Sequence, residues 1–593
     1  MITKRSVLVV VALAGLMAAC APTKPPPPPP LPSLDMPCSA PAGSPVAGND
    51  PLRSGWYPDQ PGLNPSAGGQ CAFGEQWSAP VDGQVYAQPV VDPGAGPNGT
   101  LLVATETNHV YGLDAVTGQQ LWERDDLGPP WDPNELDCGV LAPSVGITST
   151  PAIDAATHTA YMFSKTYDNG SPAYFAHAMD LNANGAEKPG FPRKIEGFAA
   201  NVPNVPPGTG ASFDAQHHLQ RPGLLLMNGV VYAAFGSHCD VDPYRGWVAG
   251  INASTGAIST LWTDEALPPA VNPSPRGAIW QTGGRLVNDN GDIVLASGNG
   301  EVPALPTPGK PLASPTLGEA AMRLRVQPGG ALQAVDFFAP CDAQALSDQD
   351  LDLGTGAPLV LPDSFGTPAH PHLLLVVAKS PTLYVLDRGD FGGYQQGAPG
   401  SCPDGSGHAG DHVLSTFTAP NTSFGPWATP AEWPGDGGLI YVPYQDALGG
   451  SGEFTAYRVT PDGNGTPQLS VAGQSNDDPY GFGSSSAIIT SDGTTSGSAL
   501  VWLVRLPGPD GVGAELRAYD ANPSGGVLTL RGRYPIGQGT KFNTPTVQNG
   551  RVYVGAQDGN VHAFGVLPRG TAAQSPPPPP RPATANQVPD RDG

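Results

Sequence analysis

Tyr111-Gly-Leu-Asp-Ala-Val-Thr-Gly-Gln-Gln-Leu-Trp122 is the stretch that decides the fold, because the chain says it twice. It returns in altered form as Val248-Ala-Gly-Ile-Asn-Ala-Ser-Thr-Gly-Ala-Ile-Ser-Thr-Leu-Trp262. An apolar alternating run, an Asp or Asn, a Thr-Gly turn and a Trp a few residues later describe two antiparallel strands joined by a tight hairpin. A strand-built unit repeated at a long interval predicts a propeller.

A second element precedes each hairpin: a small or polar residue, Pro or Gly, then aliphatic residues. It occurs at Gln88-Pro-Val-Val91, Thr150-Pro-Ala-Ile153, Arg221-Pro-Gly-Leu224, Gln281-Thr-Gly-Gly284, Ala357-Pro-Leu-Val360, Thr429-Pro-Ala431, Ser486-Ala-Ile488 and Asn543-Thr-Pro-Thr-Val547. The intervals, roughly 57 to 75 residues, each hold four short strands and their loops, which is one blade. Hairpin phrases follow at His177-Ala-Met-Asp180, Met322-Arg-Leu-Arg325, Tyr384-Val-Leu-Asp387, Ala456-Tyr-Arg-Val459, Arg517-Ala-Tyr-Asp520 and His562-Ala-Phe-Gly565. After Gly565 no Trp-bearing strand follows, whereas Phe73-Gly-Glu-Gln-Trp77 lies upstream of the first blade with no blade of its own. The expected fold is therefore all-β, an eight-bladed β-propeller over residues 73–566, with the N-terminal strand completing the last blade and removing its open edge.

These repeats resemble those of quinoprotein alcohol dehydrogenases and of the outer-membrane assembly lipoprotein with the same propeller. Gly146-Ile-Thr-Ser-Thr-Pro151, Gln220-Arg-Pro-Gly-Leu-Leu-Leu226, Phe235-Gly-Ser-His-Cys-Asp240, Ile279-Trp-Gln-Thr-Gly-Gly284 and Asp350-Leu-Asp-Leu-Gly354 are similar to bacterial secreted proteins of the pyrroloquinoline-quinone-like repeat kind, themselves similar to polyvinyl-alcohol dehydrogenases. The resemblance implies the fold and leaves the activity open, since such repeats serve cofactor enzymes and cofactor-free binding proteins alike.

Gly 78 and Pro 71 make up about a quarter of the chain, a level at which disorder has to be considered; the Gly falls at turns and much of the Pro in the two tails. Acidic residues outnumber basic ones, 52 against 28, for a formal charge of −24. That excludes nucleic acid as a natural partner, because phosphate binding needs a concentrated Lys/Arg surface. At the N-terminus Lys4 and Arg5 precede the apolar run Val7 to Met17, and Met17-Ala-Ala-Cys20 closes it. The pattern is a signal peptide over residues 1–20, and its cysteine resembles a bacterial lipobox, which implies that Cys20 is acylated and tethers an exported protein to a membrane. Residues 21–72 then read as a Pro-rich tether and arm, and 567–593 as a Pro-rich tail.

Six cysteines remain, an even number suited to an oxidising compartment. The preferred pairing is Cys38–Cys71, Cys138–Cys239 and Cys341–Cys402, one of fifteen possible connectivities. No Cys-x-x-Cys or Cys-x-x-Cys-His occurs, which argues against a zinc ribbon and a covalent haem.

Long connections between blades are expected at 123–147, 188–219, 263–278, 338–355, 389–426 and 459–484, all on the face around the channel mouth. A ligand site belongs there, with Thr148, Ser149, Gln220, Arg221, Trp280, Gln281, Thr282, Trp427, Thr429, Lys541 and Asn543 as candidates. A quinone cofactor needs an aromatic floor, for which Trp280 or Trp427 is available, and cations for its carboxylates, for which Arg221 or Lys541 is. It also needs calcium held by carboxylate and amide oxygens. The vicinal Cys-Cys of many methanol-dehydrogenase-like enzymes is absent, and the inner-strand positions that should carry a calcium-binding Glu, Asn and Asp hold Thr, Ser, Gln and Gly.

Asp348, Asp350 and Asp352 alternate, which suits an oxygen-ligated cation and equally a strand with one wet face; Leu353 stands where a helical calcium loop needs Gly. Asp180-Leu-Asn-Ala-Asn-Gly185 reads as a turn. His238 beside Cys239 reads as a loop hydrogen-bonding residue, with acid–base chemistry the alternative, and the pair His217-His218 reads as exposed polar residues that with a third ligand could take a transition metal; a disulfide would remove Cys239 as a nucleophile. No Gly-x-Ser-x-Gly occurs. Two readings stand: a membrane-tethered propeller that binds a polymer or an envelope protein, or a pyrroloquinoline-quinone (PQQ) and calcium-dependent alcohol or polymer dehydrogenase without its own haem domain.

Overall fold

The computed structural model describes residues 34–36, 54–65 and 71–567, apart from 204, 207–209, 306–313, 421, 423–424 and 447–450. Its strands form eight sheets, each built on a four-stranded antiparallel path, some carrying a further short strand. The first blade is Val90–Asp92, Thr100–Ala104, Val110–Asp114 and Gln120–Arg124, followed by blades whose innermost strands begin at Ala152, Leu225, Val287, Leu359, Ala431, Ile488 and Thr546. This is an eight-bladed propeller of quinoprotein type.

The repeated phrase works as its chemistry predicts. Asp114 turns the hairpin, its carboxylate accepting the amides of Val116 at 3.0 Å and Thr117 at 2.9 Å; in blade three Asn252 does the same for Ser254 at 3.1 Å and Thr255 at 3.0 Å. Gly118 adopts φ 73°, a left-handed conformation that a side chain disfavours. Gly112 faces Trp122 across the hairpin, and a Cβ there would collide with the indole. The Trp then reaches the next blade: Trp122 packs on Gly185, and Trp77 on Gly118, where an added Cβ would lie 2.7 and 2.6 Å from the rings.

Burial follows the same logic. The apolar residues form eight main clusters, one at each blade boundary, running from blades one and two around to blades eight and one. A sheet packed on both faces by its neighbours explains why inner strands such as Leu373–Val377 are continuously apolar and wholly buried.

Closure occurs as expected. Cys71–Pro80 is the outer strand of blade eight, antiparallel to Asn560–Val566 with Phe73 opposite Val566 and Trp77 opposite Ala563. Asp35–Met36 adds a short strand to its outer edge.

The arm before it holds a surprise. Trp56–Tyr57 pairs in parallel with Ile488–Thr490, the innermost strand of blade seven, so the chain runs inside the channel. Glu432 donates its amide to the Ser54 carbonyl at 3.1 Å, Ile489 to Gly55 at 2.9 Å, and the Trp56 indole reaches Ser491 Oγ at 2.8 Å.

Two expected blade connections are corrected. Residues 389–426 contain Ser415–Thr418, the outer strand of blade five, and Gly393–Tyr394, which pairs in parallel with Leu332–Ala339 of blade four. Residues 459–484 contain Pro467–Gln474, the outer strand of blade six. These strands are short or flanked by Gly and Pro, so their alternation is weak. The disulfides Cys138–Cys239 and Cys341–Cys402 are formed as expected; Cys38 lies outside the described residues, and with it the pairing to Cys71. Cys20 and the Pro-rich tails also lie outside them. Among the described residues no helix is long and apolar enough to cross a membrane.

Candidate functional site

The connections from each outer strand to the next inner strand, together with the loops between second and third strands, gather at the channel mouth. There the structure sorts the candidate residues into two groups.

One group ties blades to each other. Thr429 Oγ1 accepts the Ala357 amide at 2.9 Å while its own amide donates to Ser486 Oγ at 2.9 Å. Asn543 Nδ2 donates to the carbonyls of Val85 at 2.7 Å and Gly555 at 3.1 Å. The Thr282 amide bonds the Thr355 carbonyl at 2.6 Å, and Gln281 Nε2 donates to the Arg285 carbonyl at 3.2 Å. Ser149 Oγ bonds Gln220 Oε1, and Gln220 Nε2 donates to the Pro222 carbonyl at 2.7 Å.

The other group faces the mouth. Arg221 donates to the Lys541 carbonyl at 3.1 Å across the opening and lies 5.9 Å from the Phe542 ring. Lys541 Nζ sits 5.0 Å over Phe482, and Trp427, Phe482 and Phe542 form an edge-to-face series at 5.3 and 5.4 Å. Cations over aromatic faces are mutually stabilising; Trp427, Phe482, Phe542 and Lys541 are partly exposed, whereas Arg221 is buried behind them. Trp280 stands apart from this series, packed on Gly236 beside Trp131 and Leu219.

Buried charge lies under the mouth, and the sequence reading missed it. Glu106, 1 % exposed, accepts the Gly146 amide at 2.7 Å and the Thr148 hydroxyl at 3.0 Å on one oxygen, while the other has no hydrogen bond. Burial pushes its pKa up to about 7 against those two donors and the nearby cations Arg221 and Lys165. Lys165, fully buried, donates to the carbonyls of Gln216 at 3.0 Å and His218 at 2.9 Å and lies 3.5 Å over Trp131; burial drives its pKa well down.

The histidine pair is occupied. His217 pairs with the Asp214 carboxylate, and His218 Nε2 accepts the Arg245 amide at 3.0 Å, burial lowering its pKa to about 4. His238 is wholly buried with its ring edge-on to Trp131 at 4.9 Å.

Asp348 ends the helix Ala343–Asp348 and bonds Gln344, so the expected alternation along a strand is not present. Asp350 and Asp352 do meet, and Lys379 lies between them at 2.8 and 2.7 Å. Its ammonium takes the place a bound cation would have. Asp180 turns its loop, accepting the Asn182 amide at 3.0 Å.

Below the mouth the arm Ser54–Tyr57 lies against the innermost strand of blade seven. Gly55 and Tyr57 of the arm, Gln88, Arg285, Thr429, Ser486 and Thr544 enclose a residual cavity of about 50 Å³. Arg285 reaches across to Gln88 Oε1, and Gln88 Nε2 donates to the Pro545 carbonyl at 2.8 Å.

Among solved structures, a europium-containing methanol dehydrogenase matches with 14 % identity and a TM-score of 0.53, over 89 % of this chain and 98 % of that one. The quinohemoprotein alcohol dehydrogenase ADHIIG from Pseudomonas putida HK5 matches with 15 % identity and a TM-score of 0.51, over 87 % of this chain and 79 % of that one. BamB from Moraxella catarrhalis matches at 14 % identity and a TM-score of 0.45, over 83 % of this chain and the whole of that one. No family model and no curated protein matches the sequence. At such identities the likeness is one of fold.

The buried carboxylates make stability depend on pH in a direction opposite to ordinary ion pairs. Asp264, fully buried with one oxygen unbonded, has its pKa pushed up to about 8 by burial, and Glu106 to about 7. Unfolded, both titrate near pH 4, so between about pH 4 and pH 8 the folded state holds more protons and stability falls as pH rises. The urea midpoint should decline from about pH 5 to about pH 8, and Asp264→Asn should flatten the upper part of that decline. A midpoint rising over this range, or an unchanged slope in Asp264→Asn, contradicts the assignment.

Proposed function

We propose that this protein is an exported, lipid-anchored β-propeller that binds a polymer or another envelope protein at its channel mouth, and that it is not a quinone enzyme. The observation that carries the reading is the mouth itself, where Arg221 and Lys541 lie over Phe542 and Phe482 beside Trp427. On a chain of net charge −24 this positive, aromatic spot favours an acidic or carboxylated partner.

The residues do not fit calcium and a quinone. Glu106, the carboxylate under the mouth, has its pKa raised to about 7 by burial, and the charged groups acting on it are the cations Arg221 and Lys165. A divalent ion needs several anionic oxygens facing it.

The ends of the propeller support the tether. Leu34 accepts the Phe73 amide at 3.2 Å and Leu567 donates its amide to Ala72 at 2.8 Å, so both tails leave beside the start of Cys71–Pro80. That strand runs from there toward the mouth, so a lipid on Cys20 would hold the opposite face to the membrane and present the mouth outward.

The deciding experiment supplies PQQ and calcium to the purified full-length protein and follows alcohol-dependent reduction of an artificial electron acceptor, alongside detergent partitioning of wild type and Cys20→Ser. Background reduction and a shift of only the mutant to the aqueous phase are expected. Turnover requiring both additives and lost in Trp427→Ala would establish the dehydrogenase instead, and identical partitioning would remove the anchor.

A further inference from the structure

The two described disulfides differ in one respect. Beside Cys138–Cys239 lies a third soft donor, His238, such that one ligand atom from each of Cys138, His238 and Cys239 lies within 4.8 Å of the others; among the described residues no other group of three His, Cys, Asp or Glu side chains meets that condition. His238 is wholly buried, and its ring hydrogen-bonds only the Cys138 backbone, which leaves one ring nitrogen without a partner. A buried imidazole with an unsatisfied nitrogen is costly unless it has work that the structure does not otherwise display.

We propose that Cys138, His238 and Cys239 form a binding site for one thiophilic divalent cation, of which Zn²⁺ is the type, that opens when their disulfide is reduced. Two thiolates and a neutral imidazole are the donors that zinc selects, and a three-residue set leaves a fourth position for water. Tetrahedral zinc places its sulfur and nitrogen ligands about 3.5–3.8 Å apart, inside the separation already present. Little more than parting the two sulfurs is needed.

The elements involved are positioned for it. Cys138 belongs to the connection between blades one and two, and His238 and Cys239 to the loop after Val230–Ser237 of blade three. Both cysteines are half-buried while the histidine is buried, so a reductant and an ion reach the sulfurs from solvent and meet the imidazole behind them. The same loops border the mouth, which makes the clip and the ion alternative ways of fixing that rim.

The chemistry balances. A dithiol reductant gives two electrons and two protons to the S–S bond and becomes a cyclic disulfide, leaving two thiols; the incoming cation then displaces the two thiol protons to solvent as both sulfurs bind.

The test uses the full-length protein, reduced anaerobically with dithiothreitol, desalted, and titrated with Co²⁺ followed by Zn²⁺. Native circular dichroism should survive reduction, one Co²⁺ should bind with a thiolate-to-cobalt absorption band, and Zn²⁺ should displace it, while the untreated protein binds none. His238→Phe keeps the ring against Trp131 but removes both nitrogens, and should weaken binding about tenfold or more; Cys138→Ser, which needs no reduction to expose Cys239, should do the same. Cys341→Ser with Cys402→Ser should bind as wild type does. Absence of cobalt binding to the reduced protein, loss of the native fold on reduction, or His238→Phe binding as tightly as wild type would each overturn the proposal.

Discussion

Deleting Phe73 to Ala79 should make the propeller aggregate. These residues supply the register from Phe73 opposite Val566 to Ala79 opposite Val561, and without them Asn560–Val566 becomes an open edge. Phe73 lies 5.0 Å from Trp502 and 5.2 Å from Tyr534 in the layer between blades seven and eight, and Trp77 packs on Tyr553 at 6.0 Å and on the turn at Gly118. The deletion therefore opens two interblade layers as well as one sheet edge. Burying one large aromatic contributes about 1.5–3 kcal/mol, so losing Phe73 and Trp77 removes stability comparable with a domain's whole margin, and the bare edge invites pairing with another chain. Size-exclusion chromatography and urea unfolding check it; a monomeric variant with the wild-type midpoint would show that the ring does not depend on this closure.

What could be read from the sequence was what repeats. Gly112, Asp114, Thr117, Gly118 and Trp122 each answer a local demand, a cross-strand indole, a capped turn, a left-handed backbone, and blade three meets the same demands with Gly250, Asn252, Thr255, Gly256 and Trp262. The stranded Trp77 was legible because it fits this pattern without a blade around it. The arm at Ser54–Tyr57 was not, since two strand residues have no period and the partner, Ile488–Thr490, is set by the ring's closure.

The same distinction holds at the mouth. Arg221, Trp427 and Lys541 were found by assuming that a site lies where inner strands begin, and they do meet through Phe482 and Phe542, which carry no motif. Thr282, Thr429 and Asn543 obey the same rule but serve as ties between blades, because a small polar side chain at a strand start finds the neighbouring backbone before it finds solvent. Glu106 and Lys165 went unseen for a different reason: buried charges carry no spacing signature, and their meaning comes from groups brought in by other blades, such as the carbonyls of Gln216 and His218. Asp350 and Asp352 show the converse, a spacing that reads as a cation site and is completed by Lys379.

Arg517→Met should be the most damaging single substitution away from the closing strand. Arg517 lies in Val512–Asp520 of blade seven with its side chain fully buried, and its guanidinium meets Asp477 at 2.6 Å, Glu515 at 2.8 Å and Asp478 at 3.2 Å. It also donates to the Asp478 carbonyl at 3.1 Å and lies 5.5 Å from the Tyr480 ring. The three carboxylates and two tyrosines hold it strongly protonated against its burial. Methionine matches much of its volume, so the loss is electrostatic. Asp477 is nearly buried and keeps the Tyr519 hydroxyl at 2.7 Å as a donor, but it faces two other carboxylates with its main counter-charge gone. Breaking a buried pair by removing one partner costs about 3–5 kcal/mol. Asp478 and Glu515 reach solvent, and Arg533 still contacts Asp478 at 2.6 Å, which places the expected loss near the lower end, about 3 kcal/mol. A second change, Asp477→Asn in the Arg517→Met background, relieves part of the repulsion and should recover some of it, so the double variant should unfold at a higher urea concentration than the single one. Wild-type stability in Arg517→Met, or a double variant weaker than the single, would mean that the cluster is held by packing and that its charges are bystanders.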